Sequence, residues 1–126
     1  MRELYRGVDK DGKWIYGGIC ETENGTVYIT NRISDKPTFI PVDPKSVGKY
    51  LFDDKYGEKI FSGSLVECDK YDGVFEVHYS ETEAQYVLSN DEEGYDITFD
   101  NVWNYDCTVV GNKYTQKTEE FVYEQD

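Results

Sequence analysis

The sequence predicts a mainly β fold: a small antiparallel barrel or two packed sheets, with SH3-like elements and one or two short helical turns. Three observations lead there. Short runs rich in Val, Ile, Thr and aromatic residues recur along the chain. Gly, Asn, Asp or Pro interrupts these runs at close intervals. A ten-residue pattern is written twice, as Asp9-Lys10-Asp11-Gly12-Lys13-Trp14-Ile15-Tyr16-Gly17-Gly18 and, 45 residues later, as Asp54-Lys55-Tyr56-Gly57-Glu58-Lys59-Ile60-Phe61-Ser62-Gly63. Both copies read Asp-Lys-x-Gly-x-x-Ile-aromatic-x-Gly. Asp opens a turn by bonding its own backbone, Gly supplies a positive φ, and the Ile-aromatic pair starts a strand with side chains on opposite faces.

Taken in order, 4–8 reads as a first strand that turns at 9–12 into a second over 14–21. Asn24-Gly25 between apolar-patterned runs is a strong hairpin signal and predicts a type I′ turn. The return strand over 26–33 is β-branched, 34–37 is a loop, and 39–42 is a short extended piece that Pro41 confines to an edge. Asp43-Pro44-Lys45-Ser46 starts one helical turn, with Asp43 as N-cap and Pro44 at the first position. Residues 49–52 lead into the second copy of the pattern, and 64–69 form a half-buried strand. A turn over 70–73 precedes the strand 74–79, in which Phe75, Val77 and Tyr79 share one face and Glu76 and His78 the other. Another strand covers 84–89, 90–94 is a charged loop, and 95–106 fits a strand or a short helix equally. A late strand begins at Cys107 and ends at Gly111-Asn112. Residues 1–115 thus form a single β domain, with 116–126 as a C-terminal tail.

Val47-Gly48-Lys49-Tyr50 through Gly63-Ser64-Leu65-Val66 resembles the signature of the YopX-like family of phage and prophage proteins. That signature runs Val-Gly-Gln-aromatic-Thr-Gly-Leu-x-Asp-Lys-x-Gly-x-x-Ile-aromatic-Glu-Gly-Asp-Ile-Val. Val109-Val110-Gly111-Asn112 is similar to the family's Val-Ile-Gly-Asn, and the opening from Leu4-Tyr5-Arg6 to Ile15-Tyr16 fits its usual beginning. The similarity spans 5–115. Here Ser62-Gly63-Ser64 replaces Glu-Gly-Asp, and Leu51-Phe52 replaces Gly-Leu. The resemblance implies a mainly β, barrel-like fold of viral or prophage origin; it transfers no site, because the family's biochemical role is not established.

Charge narrows the function classes. Asp and Glu number 26 against 13 Lys and Arg, for a net of −13. Residues 1–50 hold 8 basic and 7 acidic residues, whereas 51–126 hold 5 basic and 19 acidic. Within 67–106 the ratio is 12 acidic to one basic. Nucleic-acid binding requires the opposite sign, so direct contact with DNA or RNA is not expected, nor attachment to an anionic membrane. No apolar run reaches membrane-spanning length, and the N-terminal residues do not begin a signal peptide. A cytoplasmic protein, in a bacterial host cell, is the expectation.

No cofactor or metal is indicated. Three well-separated cysteines and one histidine give neither a zinc pattern nor a disulfide framework. Cys20 (aligned with Leu65 through the repeat), Cys68 and Cys107 read as small buried apolar residues. Asp9-Lys10-Asp11-Gly12 resembles the start of a calcium loop, but Lys13 and Ile15 stand at the next ligand positions, so it is a structural turn. Gly17-Gly18 opens no phosphate-binding helix. His78, with Glu76 on the same face, suits a cross-strand polar pair, and no catalytic motif accompanies it.

The acidic region remains. Glu67, Asp69, Asp72, Glu76, Glu81, Glu83, Asp91, Glu92, Glu93, Asp96 and Asp100 are interleaved with Tyr71, Tyr79, Tyr86 and Tyr95. On strands, Glu67 with Asp69 and Glu81 with Glu83 would present carboxylates about 6.7 Å apart. Such a surface could imitate a phosphate backbone in another protein's basic groove. The expected function is therefore that of a non-enzymatic phage accessory protein that binds and inhibits a basic host protein, such as a nuclease or other DNA-binding factor. The alternative is a self-associating structural module, a homo-oligomer whose acidity serves solubility alone. A small-ligand-binding or metal-binding barrel is a third reading.

Overall fold

Strands appear where apolar and polar residues alternate, and Gly-containing turns divide them. The computed structural model describes residues 3–33, 36–69, 71–90, 95–98 and 107–114. Within these lie β1 (Tyr5–Val8), β2 (Trp14–Glu21), β3 (Val27–Ile33), β4 (Lys36–Pro41), a 3-10 turn (Pro44–Ser46), β5 (Gly48–Asp53) and β6 (Lys59–Phe61). They are followed by β7 (Ser64–Cys68), β8 (Tyr71–Ser80), β9 (Gln85–Asn90), β10 (Tyr95–Thr98) and β11 (Cys107–Asn112). The mainly β expectation is met by two antiparallel sheets, ordered β4-β3-β2-β1-β5-β6 and β10-β9-β8-β7-β11. The chain forms two compact units, within Met1–Tyr50 and within Leu51–Lys117. This boundary coincides with the step from near-neutral to acidic sequence.

In the first unit Val27, Ile29 and Val42 form the core, with Tyr5, Ile15 and Val47 packed against them. Strand β2 changes partner midway: its first half pairs with β1 and its second half, from Gly18, with β3. Gly17 permits the change, because a Cβ there would lie 2.1 Å from the Thr30 carbonyl oxygen. The 3-10 turn is built as its sequence predicts. Asp43 accepts the Lys45 N–H at 3.0 Å, and Ser46 Oγ accepts the Val8 N–H at 2.8 Å. Strand β4 is an edge strand.

In the second unit Ile60, Val66, Cys68, Phe75, Val77, Leu88, Ile97 and Cys107 form the core, flanked by Leu51, Phe52, Tyr71 and Val109. Phe75 and Val77 face this core and Glu76 and His78 the other side of β8, the partition expected from alternation. At the Ser62-Gly63-Ser64 corner, buried Ser64 accepts the Phe61 N–H on its hydroxyl at 2.9 Å. Gly63 donates its N–H to the Val77 carbonyl at 2.7 Å.

Several local expectations change. The Thr22–Thr26 turn is not type I′: Gly25 has φ +88°, but Asn24 is not in the positive-φ region. Thr22 bonds Thr26, and the Gly25 N–H reaches the Thr22 carbonyl, which is a three-residue loop closed by a glycine bulge. Strand β4 starts at Lys36, inside the expected loop; Ser34 and Asp35 lie outside the described residues. Tyr71, Asp72 and Gly73 belong to β8 rather than to a turn, because a register shift lets Tyr71 pair with Cys68. The ambiguous segment is strand over Tyr95–Thr98. Its remainder, and the tail expected over 116–126, lie outside the described residues. Cys20 is exposed, not buried. It lies beyond the Gly17-Gly18 change of partner, opposite Tyr28 and on the other face from Ile29, so alignment with Leu65 assigned it the wrong side.

Candidate functional site

The β8–β9 hairpin brings the clearest part of the acidic, tyrosine-bearing surface together. Tyr79 and Tyr86 are direct cross-strand partners. Their rings meet edge-to-face, centroids 5.2 Å apart at 78°, which fixes both without stacking them flat. Tyr79 remains 50% exposed. The connecting turn, 81–84, carries Glu81 and Glu83, both exposed. Ser80 Oγ accepts the Glu83 N–H at 3.1 Å, and Ala84 takes φ 56°, so the turn has a defined shape. Glu81 and Glu83 therefore occupy a turn, not the strand spacing expected for them. Two carboxylates and a half-exposed phenol ring project from one end of a paired hairpin.

Other members of the set have different surroundings. Asp69 follows the end of β7 and receives Lys55 Nζ on both oxygens at 3.1 Å. Glu76 is ion-paired with Lys113 at 3.2 Å. Glu67 and Asp72 are exposed. Tyr71 is half-buried and packs edge-on against Phe75, with centroids 6.2 Å apart, so it belongs to the core. Asp96 and Tyr95 lie on β10, their side chains outside what is described, and Asp91, Glu92, Glu93 and Asp100 fall outside the described residues. Among the described residues, Glu67, Asp72, Glu81 and Glu83 carry charges that no lysine or arginine offsets. These four carboxylates divide between the hairpin turn and the β7–β8 region, not along one strand.

His78 finds its cross-strand polar partner in Ser89, through Nε2. Glu76, on the same face, is ion-paired with Lys113.

Sequence reasoning missed the use of Asp54. Its Oδ1 accepts the N–H groups of Tyr56 and Glu58 at 2.8 and 2.9 Å, while Oδ2 accepts that of Val109 at 2.9 Å. The next residue, Lys55, donates its N–H to the Cys107 carbonyl at 3.2 Å. The turn thereby covers the outer edge of β11. Burial pushes the Asp54 carboxyl up, but the N–H donors of Val109, Glu58 and Tyr56 and the Lys55 charge outweigh it and hold the group below the ordinary carboxylate value. No feature of the sequence distinguishes this aspartate from Asp9.

The first unit offers an open cleft of about 460 Å³ beside the exposed Phe39, lined also by Tyr5, Ile19, Thr30 and Asn31. None of the acidic residues or tyrosines expected to form a partner surface lines it. Among the described residues no three His, Cys, Asp or Glu side chains cluster as metal ligands, and no helix is long and apolar enough to cross a membrane. Compared with known proteins, the chain matches no family model and no curated protein.

Proposed function

We propose that the protein is a non-enzymatic accessory protein of phage or prophage origin that binds and inhibits a basic protein of the bacterial host cytoplasm, a nuclease or another DNA-binding factor. Glu81 and Glu83 beside the Tyr79–Tyr86 pair carry this reading. The carboxylates stand where the target's groove receives phosphates, and Tyr79 supplies an aromatic anchor. Residues 51–126, with 19 acidic and 5 basic residues, set up a field that speeds encounter with a basic partner. The resemblance to YopX-like proteins supports the phage or prophage origin.

Two strand edges favour this reading over self-association through sheets. On β4, Val42 donates to Val27, so alternate residues back to Thr38 bond inward and Pro37, Phe39 and Pro41 face outward. Of those three only Phe39 has an N–H, a poor template for another strand. The β11 edge is occupied by Asp54 and Lys55.

The test is capture from host lysate with the tagged protein and with its Glu81→Lys/Glu83→Lys variant. The reading expects a basic DNA-binding protein, retained at low salt, released at moderate salt, and displaced by added duplex DNA. The variant should bind at least about tenfold more weakly with its stability within about 0.5 kcal/mol of the parent's. Capture of no such protein at either salt, or equal capture by the variant, sinks it.

A further inference from the structure

Two of the three cysteines meet in the second unit, far from the hairpin turn. Cys68, at the end of β7, and Cys107, at the start of β11, face each other directly in the antiparallel register. Their sulfurs are 3.3 Å apart. Cys107 turns its carbonyl away from β7 towards the Lys55 N–H, so the two residues exchange no backbone hydrogen bonds with each other. In pairs of this kind the Cα atoms approach to about 4.5 Å and the side chains come closest. That separation lies within the span of a disulfide, and the sulfurs need close only to about 2.05 Å. Both side chains belong to the core, with Cys107 fully buried and Cys68 6% exposed. Of the pair, Cys68 is the one with residual exposure. Cys20, exposed in the other unit, lacks such a neighbour among the described cysteines.

We infer that Cys68 and Cys107 form a dithiol site that hydrogen peroxide closes to an intramolecular disulfide. The Cys68 thiolate attacks the peroxide O–O bond, giving a sulfenic acid and releasing hydroxide, which leaves as water. The Cys107 thiolate then attacks the Cys68 sulfur, and a second hydroxide leaves as the S–S bond forms. In total, two thiols and one peroxide give one disulfide and two waters, the two electrons passing from sulfur to oxygen. The bond joins β7 to β11 at the base of the segment they enclose, which holds 11 acidic residues and a single lysine. A covalent tie at the base of that segment restricts the unfolded chain and so raises stability.

The experiment uses the full chain with Cys20→Ser, an exposed position outside the pair. After peroxide, thiols are alkylated under denaturing conditions and the protein is cut by trypsin, which cleaves at Lys70 and so places Cys68 and Cys107 in separate peptides. The expected result is one linked pair of peptides, absent after reduction, together with a rise in the unfolding midpoint of roughly 10 °C that reduction reverses. Two alkylated thiols, or a Cys68 oxidised beyond sulfenic acid with Cys107 still alkylated, would overturn the proposal. A linked pair joining two molecules would do the same.

Discussion

Asp9 in the first unit and Asp54 in the second head turns that match bond for bond. Each aspartate bonds through Oδ1 to the N–H groups two and four residues on. Each donates its own N–H to the fourth residue's carbonyl and receives the glycine N–H. The glycines have φ values of +79° and +83°. Beyond the turn they part. Asp9 is half-buried, and its bonds stay within its own turn, whereas Asp54 is 5% exposed and spends its second oxygen on Val109 of β11. The motif specifies a local shape, and the surroundings decide whether that shape also ties strands together. The same holds for charge: acidic residues here serve a turn, a covered edge or a solvent-facing surface, according to what lies opposite.

Replacing each aspartate by alanine breaks the comparison open. Asp54→Ala removes a buried carboxylate and leaves the part-buried N–H groups of Tyr56, Glu58 and Val109 without their acceptor, and should cost about 3 kcal/mol. Asp9→Ala exposes two N–H groups that water can reach, and should cost less than about 1 kcal/mol. Urea unfolding of both variants measures the difference. Equal losses would mean that the Val109 tie contributes nothing.

Much of the fold was legible because alternation and turn residues act locally. Phe75, Val77, Glu76 and His78 were assigned to their faces by parity alone, and Asp43-Pro44 marked its 3-10 turn by capping chemistry. What was not legible depends on partners distant in the chain. Tyr71 joins β8 because a register shift pairs it with Cys68, and nothing local announces a bulge. Cys20 sits on the outer face because β2 exchanges β1 for β3 at Gly17-Gly18. At the candidate site, composition located the acidic region but not its distribution. Lys55 and Lys113 neutralise Asp69 and Glu76, which leaves Glu67 and Asp72 by β7 and β8, and Glu81 and Glu83 in the hairpin turn, as the open carboxylates among the described residues.

Acid should sharpen the contrast at Asp54. Its carboxyl is held below the ordinary value in the folded state, so the folded protein retains the charge to lower pH than the unfolded chain does. The resulting stabilisation is fully present above the unfolded value of about 3.9 and is lost as pH falls through the folded value. Asp54→Asn removes that dependence. The stability gap between parent and variant should be constant from pH 7 down to about 5 and shrink below about 4, as read from urea midpoints across that range. A gap that does not change on acidification would show that the charge is not what binds the three N–H groups.

The smallest effect is the one that tests whether the two turns are truly the same device. A Cβ at Gly12 or at Gly57 would meet nothing within 4 Å, so neither substitution to alanine creates a clash. Each would cost only what a left-handed backbone costs a residue with a side chain, about 1 kcal/mol. Because φ is nearly equal at the two positions, Gly12→Ala and Gly57→Ala should destabilise by the same amount within a few tenths of a kcal/mol. Equality here, beside unequal losses for the aspartates, would separate the turn from its docking on β11. A much larger loss at Gly57 would instead mean that its backbone conformation is coupled to the Val109 contact, and that the second turn exists in its present shape only because β11 holds it.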